Sequence, residues 1–177
     1  MDVHRPRRAW GMLPFLAIAL ILGACAEDPA TNDEMTLTSG AFAEGAPIPS
    51  RHTCDGEDVS PALAWEGAPE GAAAFALIVD DPDAHGFVHW VVADIPADAR
   101  SADEGTSPGT DGRNDMRRDG YGGPCPPSGT HRYVFTIYAL GDALGLQPGF
   151  SAEELRSAME GRVLASGRLT GTYQRGG

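Results

Sequence analysis

A chain of 177 residues with 42% apolar residues can form one folded domain with a short targeting segment, and it is too apolar to be disordered throughout. Its 23 glycines, 14 prolines and 21% charged residues favour a turn-rich β domain over a helical bundle. The net charge of −12 disfavours nucleic acid as a partner, and the absence of lysine among the 13 basic residues excludes P-loop and Schiff-base chemistry.

Residues 1–24 have the features of an export signal. Arginines at positions 5, 7 and 8 precede an apolar run from Met12 to Leu22, which is shorter than the ~20 residues that span a bilayer but is typical of a signal-peptide core. The run ends in Leu22-Gly23-Ala24-Cys25, which resembles the bacterial lipobox. We therefore predict a lipoprotein signal peptide over 1–24 and lipidation of Cys25 by acyl chains such as palmitate. The alternative is an ordinary signal peptide in which Cys25 is incidental.

Residues 25–35 are acidic, polar and without periodicity, which predicts a flexible tether. Fully extended, a stretch of this length reaches ~30 Å, enough to lift a domain off a lipid surface. The folded domain is then expected over 36–177. The protein would be lipid-anchored to the cell membrane or the outer membrane and would face outside the cytoplasm.

Two cysteines, Cys54 and Cys125, remain if Cys25 is lipidated. An exported protein meets oxidising conditions, and an even pair of cysteines there favours a disulfide. The alternative is two separate buried thiols, because sequence alone does not give the distance between them.

Five segments predict β-strands. Three are apolar runs rich in β-branched or aromatic residues, and two shorter segments are weaker candidates. In chain order the five are 62–65, 74–79, 87–93, 133–139 and 169–173. Residues 98–123 are polar and rich in Asp, Gly and Ser, and a loop of this length within a compact domain is usually functional or mobile.

One helix is predicted near the C-terminus. Ser151 and Glu154 have the spacing of a capping box, Leu155 and Met159 follow at helical spacing, and Gly161 is a typical stop. We expect the helix to resume briefly over 163–166.

Four sets of motifs, taken together and in order, resemble the phosphatidylethanolamine-binding family, in its bacterial Raf-kinase-inhibitor-like branch. They are Cys54-Asp55-Gly56 with Ser60-Pro61 and Trp65, then Asp81-Pro82-Asp83-Ala84, then His89-Trp90-Val91-Val92, then Gly122-Gly123-Pro124-Cys125-Pro126-Pro127 with His131-Arg132-Tyr133. Each motif alone is weak, but the four in order are specific, and the likeness extends over about 36–173. The resemblance implies a mainly β, sandwich-like domain with a few peripheral helices.

The resemblance also implies a small pocket at one end of the domain that binds phosphate-type anions and phospholipid head groups. Carried over residue by residue, the pocket would contain Asp81, His89, Gly123, Pro126, His131 and Tyr133. No cofactor, metal or catalytic residue is implied. The chain departs from the family at His85, where proline often follows the Asp-Pro-Asp-Ala run, so the resemblance does not name the ligand.

The chemistry of these residues suits an anion pocket without lysine. The imidazoles of His89 and His131, the hydroxyl of Tyr133 and the backbone N–H groups of the adjacent glycine pair could all donate hydrogen bonds. A carboxylate repels phosphate, so Asp81 is expected either to orient a histidine tautomer or to meet an ammonium, as in phosphoethanolamine. Taken singly, the residues have ordinary structural interpretations, since Asp-Pro-Asp is a common turn and His89 could simply be packed beside Trp90.

The leading hypothesis is an envelope-anchored binding module, not an enzyme, for a phosphorylated or anionic small molecule or a lipid head group. The alternative is an inhibitor or regulator of a protease or signalling enzyme that acts through the pocket rim and the 98–123 loop. A metal-dependent enzyme built on Asp81, His89 and His131 is the weakest candidate, because these residues lack a recognisable ligand spacing. No nucleic-acid partner is expected.

Overall fold

A computed structural model describes residues 1–2 and 35–176 of the chain. All but the first two residues of the predicted signal peptide, the lipidation site Cys25, and all of the predicted tether except Met35 lie outside these residues. No helix in the described part of the chain is long and apolar enough to cross a membrane. Met35, the last residue of the predicted tether, is buried in the domain, and its backbone N–H donates to the Ser166 carbonyl at 3.0 Å.

Eight antiparallel strands form two sheets in the described residues. The strands are β1 (Thr36–Ser39), β2 (Leu63–Glu66), β3 (Ala74–Asp81), β4 (Phe87–Pro96), β5 (Ser101–Ala102), β6 (Thr110–Asp111), β7 (Thr130–Leu140) and β8 (Val163–Gln174). One sheet has the order β6-β4-β3-β7-β8 and the other the order β1-β2-β5. The described part of the chain also contains one α-helix, α1 (Ala152–Met159), and two 3-10 helices, Ser50–His52 and Pro82–Ala84. The predicted mainly β class is confirmed.

The central strand β3 is buried on both faces, which accounts for its continuous apolar sequence. Phe75 and Leu77 belong to a core that includes Trp65 of the three-stranded sheet. The alternate residues Ala76 and Ile78 belong to a second apolar cluster, which α1 covers. The three-stranded sheet therefore packs on one face of β3, and α1 packs on the other.

The capping box of α1 forms as predicted. The Ser151 hydroxyl accepts from the Glu154 backbone N–H at 3.2 Å, and the Glu154 carboxylate accepts from the Ser151 backbone N–H at 2.7 Å. Gly161 follows with a φ of 71°, a left-handed conformation that suits glycine. The expected resumption of the helix over 163–166 is wrong. These residues begin β8, because β7 offers a partner strand in which Ala165 pairs with Ala139.

The long polar segment 98–123 is ordered against the edge of β4. Besides the short strands β5 and β6, it contributes backbone hydrogen bonds from Gly112 to the Val91 carbonyl and from Gly122 to the His89 carbonyl, both at 2.9 Å. The segment thus covers the part of the β4 edge that does not pair with β6. It also brings the glycine–proline segment 122–127 against His89.

Candidate functional site

One cavity of about 590 Å³ lies where β3, β4 and β7 meet the glycine–proline segment 122–127. All six residues that the family resemblance placed in a pocket line it: Asp81, His89, Gly123, Pro126, His131 and Tyr133. The antiparallel arrangement explains why these residues lie together, because the end of β3, the start of β4 and the start of β7 lie at the same end of the sheet.

Asp81 is bound on both carboxylate oxygens. Its Oδ1 accepts the backbone N–H groups of Asp83 at 2.9 Å and Ala84 at 3.1 Å, and its Oδ2 lies 2.7 Å from Nδ1 of His131. The residue is only 2% exposed. An ionised carboxylate only accepts hydrogen bonds, so Nδ1 of His131 carries the proton and Nε2 is left without a partner in the described residues. Asp81 is therefore placed to orient a histidine tautomer.

An ion pair holds this arrangement together from outside the cavity. The guanidinium of Arg132 donates to both oxygens of Asp83, at 3.0 and 2.8 Å, and the Arg132 backbone N–H donates to the same carboxylate at 2.8 Å. These hydrogen bonds from Arg132 lower the pKa of Asp83 to about 2. The 3-10 helix that follows Asp81 is thereby fastened to β7, which carries His131.

His89 is almost fully buried, with 4% exposure. Its Nδ1 donates to the Gly122 carbonyl at 2.7 Å, and its ring contacts the rings of Phe87 and Tyr133 with centroid distances of 5.2 and 5.1 Å. Burial lowers the pKa of His89, and its hydrogen bond to Gly122 offsets part of that shift. The residue is therefore neutral at neutral pH, with the lone pair on Nε2.

The backbone donors of the glycine pair are not free for a ligand, so that expectation is wrong. The N–H of Gly122 donates to the His89 carbonyl at 2.9 Å, and the N–H of Gly123 donates to Oδ1 of Asp58 at 2.7 Å. Gly123 is needed for space instead, because a Cβ there would lie 2.6 Å from the His52 carbonyl oxygen. The segment acts as a closely packed wall.

The hydroxyl of Tyr133 is buried and has no hydrogen-bond partner in the described residues. Burial raises the pKa of Tyr133, and the nearby carboxylate of Asp81 adds to the shift. The hydroxyl therefore stays protonated and keeps a donor for a group in the cavity.

A disulfide joins Cys54 to Cys125 across 71 residues of sequence, with a Cα–Cα distance of 5.4 Å. Both cysteines line the cavity. The backbone N–H of Cys54 also donates to the Pro124 carbonyl at 3.1 Å. The bridge thus fixes the glycine–proline wall to the segment that carries Asp58.

Sequence reasoning missed several lining residues, including Asp58, Phe87, Met116 and Arg118. Met116 and Arg118 lie in the polar segment 98–123, whose length was the signal for function, but nothing in the sequence distinguished Arg118 from the other arginines of that segment. Within residues 35–176, no group of three His, Cys, Asp or Glu side chains is arranged to hold a metal ion.

Comparisons with known proteins agree with the resemblance. A family model described as phosphatidylethanolamine-binding protein matches residues 38–174. A "UPF0098 protein" of Methanothermobacter thermautotrophicus is 49% identical over 151 residues, which cover 80% of this chain and 100% of the relative. "Putative lipoprotein LppC" of Mycobacterium tuberculosis is 41% identical over 167 residues, which cover 91% of this chain and 82% of the relative.

The fold is also similar to a solved structure. The crystal structure of Escherichia coli YbcL, described as a member of the mammalian PEBP family, matches with a TM-score of 0.75 and 29% sequence identity. The match covers 81% of this chain and 99% of that one.

Proposed function

Because this chain belongs to the phosphatidylethanolamine-binding protein family, we propose that it binds a phosphate-type anion or a phospholipid head group in its cavity, without catalytic turnover. The observation that carries the proposal is the pair of histidines. His89 and His131 both line the cavity, and each has its Nδ1 bound to a fixed acceptor, so each has only Nε2 to offer a ligand. When both imidazoles are protonated, they and the Tyr133 hydroxyl form a donor set for an oxyanion.

The rest of the lining supports an amphiphilic ligand. Its largely apolar members are Ala84, Phe87, Met116, Pro126 and Pro127. A head group with a short apolar attachment would place its anionic part at the histidines and its apolar part against these residues.

Anchoring at the envelope is part of the proposal. The lipobox-like sequence that ends in Cys25 supports it, as does the similarity to a mycobacterial protein named as a lipoprotein. Acyl chains on Cys25 would hold the domain beside a lipid surface, where head groups are concentrated. Mass spectrometry of the chain purified from bacterial membranes should show an acylated N-terminal Cys25. A chain that keeps residues 1–24, or that has an unmodified cysteine, would rule out the anchor.

His131→Ala is expected to weaken binding of sulfate, a stable dianion that stands in for phosphate, by about tenfold or more, because a charge-assisted hydrogen bond is lost. Isothermal titration calorimetry of the full-length chain measures the effect. His85→Asn is the matched control, since His85 is an exposed histidine that does not line the cavity. Equal sulfate affinities for His131→Ala and the unaltered protein would refute the assigned site.

Sulfate affinity is expected to rise as the pH falls. Burial lowers the pKa of His89, so the free protein holds this residue neutral, whereas a bound dianion favours the charged form. Binding therefore takes up protons, and each proton adds up to about tenfold in affinity per pH unit until the pH falls below the pKa of the free histidine. Calorimetric titrations between about pH 8 and about pH 5 test this. An affinity that stays constant or falls over that range would contradict it.

A further inference from the structure

Arg118 is the only arginine among the cavity-lining residues that the structure describes. Its side chain is 47% exposed, and its Nη2 donates to Oδ2 of Asp58. Most of its N–H donors remain without a partner in the described residues, since a guanidinium carries several in a planar fork. The residue is therefore a permanent cation with unused donors at the edge of the cavity.

The guanidinium of Arg118 lies close to the glycine–proline wall. A Cβ on Gly122 would lie 3.2 Å from Nη2 of Arg118 and 2.5 Å from the sulfur of Met116. The absence of a side chain at Gly122 thus makes room for both residues, and the carbonyl of the same glycine binds His89. Arg118 and His89 therefore both lie beside Gly122.

The carboxylate partner of Arg118 is held more firmly than Arg118 itself. Oδ1 of Asp58 accepts the backbone N–H of Gly123 at 2.7 Å, and the Asp58 side chain is less exposed than that of Arg118, at 26% against 47%. An arriving oxyanion can compete for the guanidinium without disturbing the wall.

The charges of the cavity-lining residues make Arg118 important for binding an anion. With both histidines neutral, the fixed charges of the lining residues are those of Asp58, Asp81 and Arg118, one more negative than positive. The other charged groups beside the histidines are Asp80 and Asp115 near His89 and Asp83 near His131, of which Asp80 pairs with Arg156 and Asp83 with Arg132. An anion would be repelled at high pH unless a permanent cation binds it directly.

We propose that Arg118 is a specificity-determining residue of the cavity, whose guanidinium binds the oxyanion of the ligand in competition with Asp58. This inference rests on the proposed function. The guanidinium of Arg118 selects ligands that present two oxygens to its planar fork, such as phosphomonoesters. It also supplies the part of the affinity that does not require a protonated histidine.

Four full-length proteins test the inference by calorimetric titration with sulfate at about pH 8. Arg118→Gln should weaken binding about tenfold, whereas Asp58→Asn should strengthen it, because the guanidinium loses its competitor. The double variant Asp58→Asn/Arg118→Gln has the net charge of the unaltered protein. It should bind more weakly than the unaltered protein, because the direct contact is lost.

Two further variants test whether the effect of Arg118 on sulfate binding comes from direct contact, from its charge alone or from a change in folding. Arg118→Lys should restore only part of the affinity, because an ammonium lacks the planar fork. Arg113→Gln, which removes an exposed arginine of the same segment that pairs with Asp119, should leave sulfate binding unchanged. Lowering the pH should increase the affinity of Arg118→Gln more steeply than that of the unaltered protein.

The outcomes distinguish this inference from the proposed function. If the unaltered protein binds sulfate and Arg118→Gln binds it equally well, the role of Arg118 is refuted and the histidine site stands. The same holds if the double variant matches the unaltered protein, since net charge alone would then explain the data. If the unaltered protein binds no sulfate at any pH tested, both proposals fail.

Discussion

Replacing both bridged cysteines, Cys54→Ser with Cys125→Ser, is expected to lower the free energy of unfolding by about 4 kcal/mol. The disulfide closes a loop of 71 residues, and opening it restores the corresponding chain entropy to the unfolded state. Urea denaturation followed by tryptophan fluorescence measures the change. The loss is large because domains of this size are stable by only about 5–15 kcal/mol.

The reduced form of the unaltered protein is the control for this prediction, because it lacks the bridge but keeps every other atom. It should match the double serine variant in stability. Both should also bind sulfate more weakly, since the bridge fixes the wall at Cys125 to the segment that carries Asp58. A stability loss below about 1 kcal/mol would show that the bridge removes little conformational entropy from the unfolded chain.

Gly123→Ala is expected to lower the free energy of unfolding by about 3 kcal/mol and to weaken sulfate binding. A Cβ at this position would lie 2.6 Å from the His52 carbonyl oxygen, 2.7 Å from Oδ1 of Asp58 and 2.8 Å from the Cα of Thr53. Two of these atoms belong to backbone, so the wall itself has to move. The hydrogen bond from Gly123 to Asp58 would then lengthen, and the cavity lining at Pro126 would shift with it.

Gly40→Ala is the matched control, because a Cβ on Gly40 meets no atom within 4 Å. Its stability should stay within about 0.5 kcal/mol of the unaltered protein. Thermal or urea unfolding of both variants gives the comparison. If Gly123→Ala is as stable as Gly40→Ala and binds sulfate normally, the wall is not closely packed against its neighbours.

Local patterns in the sequence predict the buried strands β3, β4 and β7 and the helix α1 well. The apolar runs of β3 and β7 are long and rich in strand-forming residues, so their identity follows from composition. The strands β5 and β6 have two residues each, too few for any period to appear. The segment 163–166 was misassigned to a helix because helix or strand is decided there by its ladder with β7, a tertiary contact.

The residues of the candidate site also differ in how well the sequence predicts them. The family motifs identify Asp81, His89 and His131, since those residues lie within recognisable local patterns. The pairing of Arg118 with Asp58 joins residues 60 positions apart and leaves no local trace. The predicted donor role of the glycine pair is wrong for a related reason. The His89 carbonyl in β4 and the carboxylate of Asp58, both distant in sequence, accept hydrogen bonds from the two N–H groups.

A crystal structure of the chain grown with sulfate tests the central claim most directly. We expect the anion in the cavity, within hydrogen-bonding distance of Nε2 of both His89 and His131, with Asp81 still bound to Nδ1 of His131. Sulfate bound elsewhere on the domain, with nothing between the two imidazoles, would contradict the claim that these side chains form an anion site.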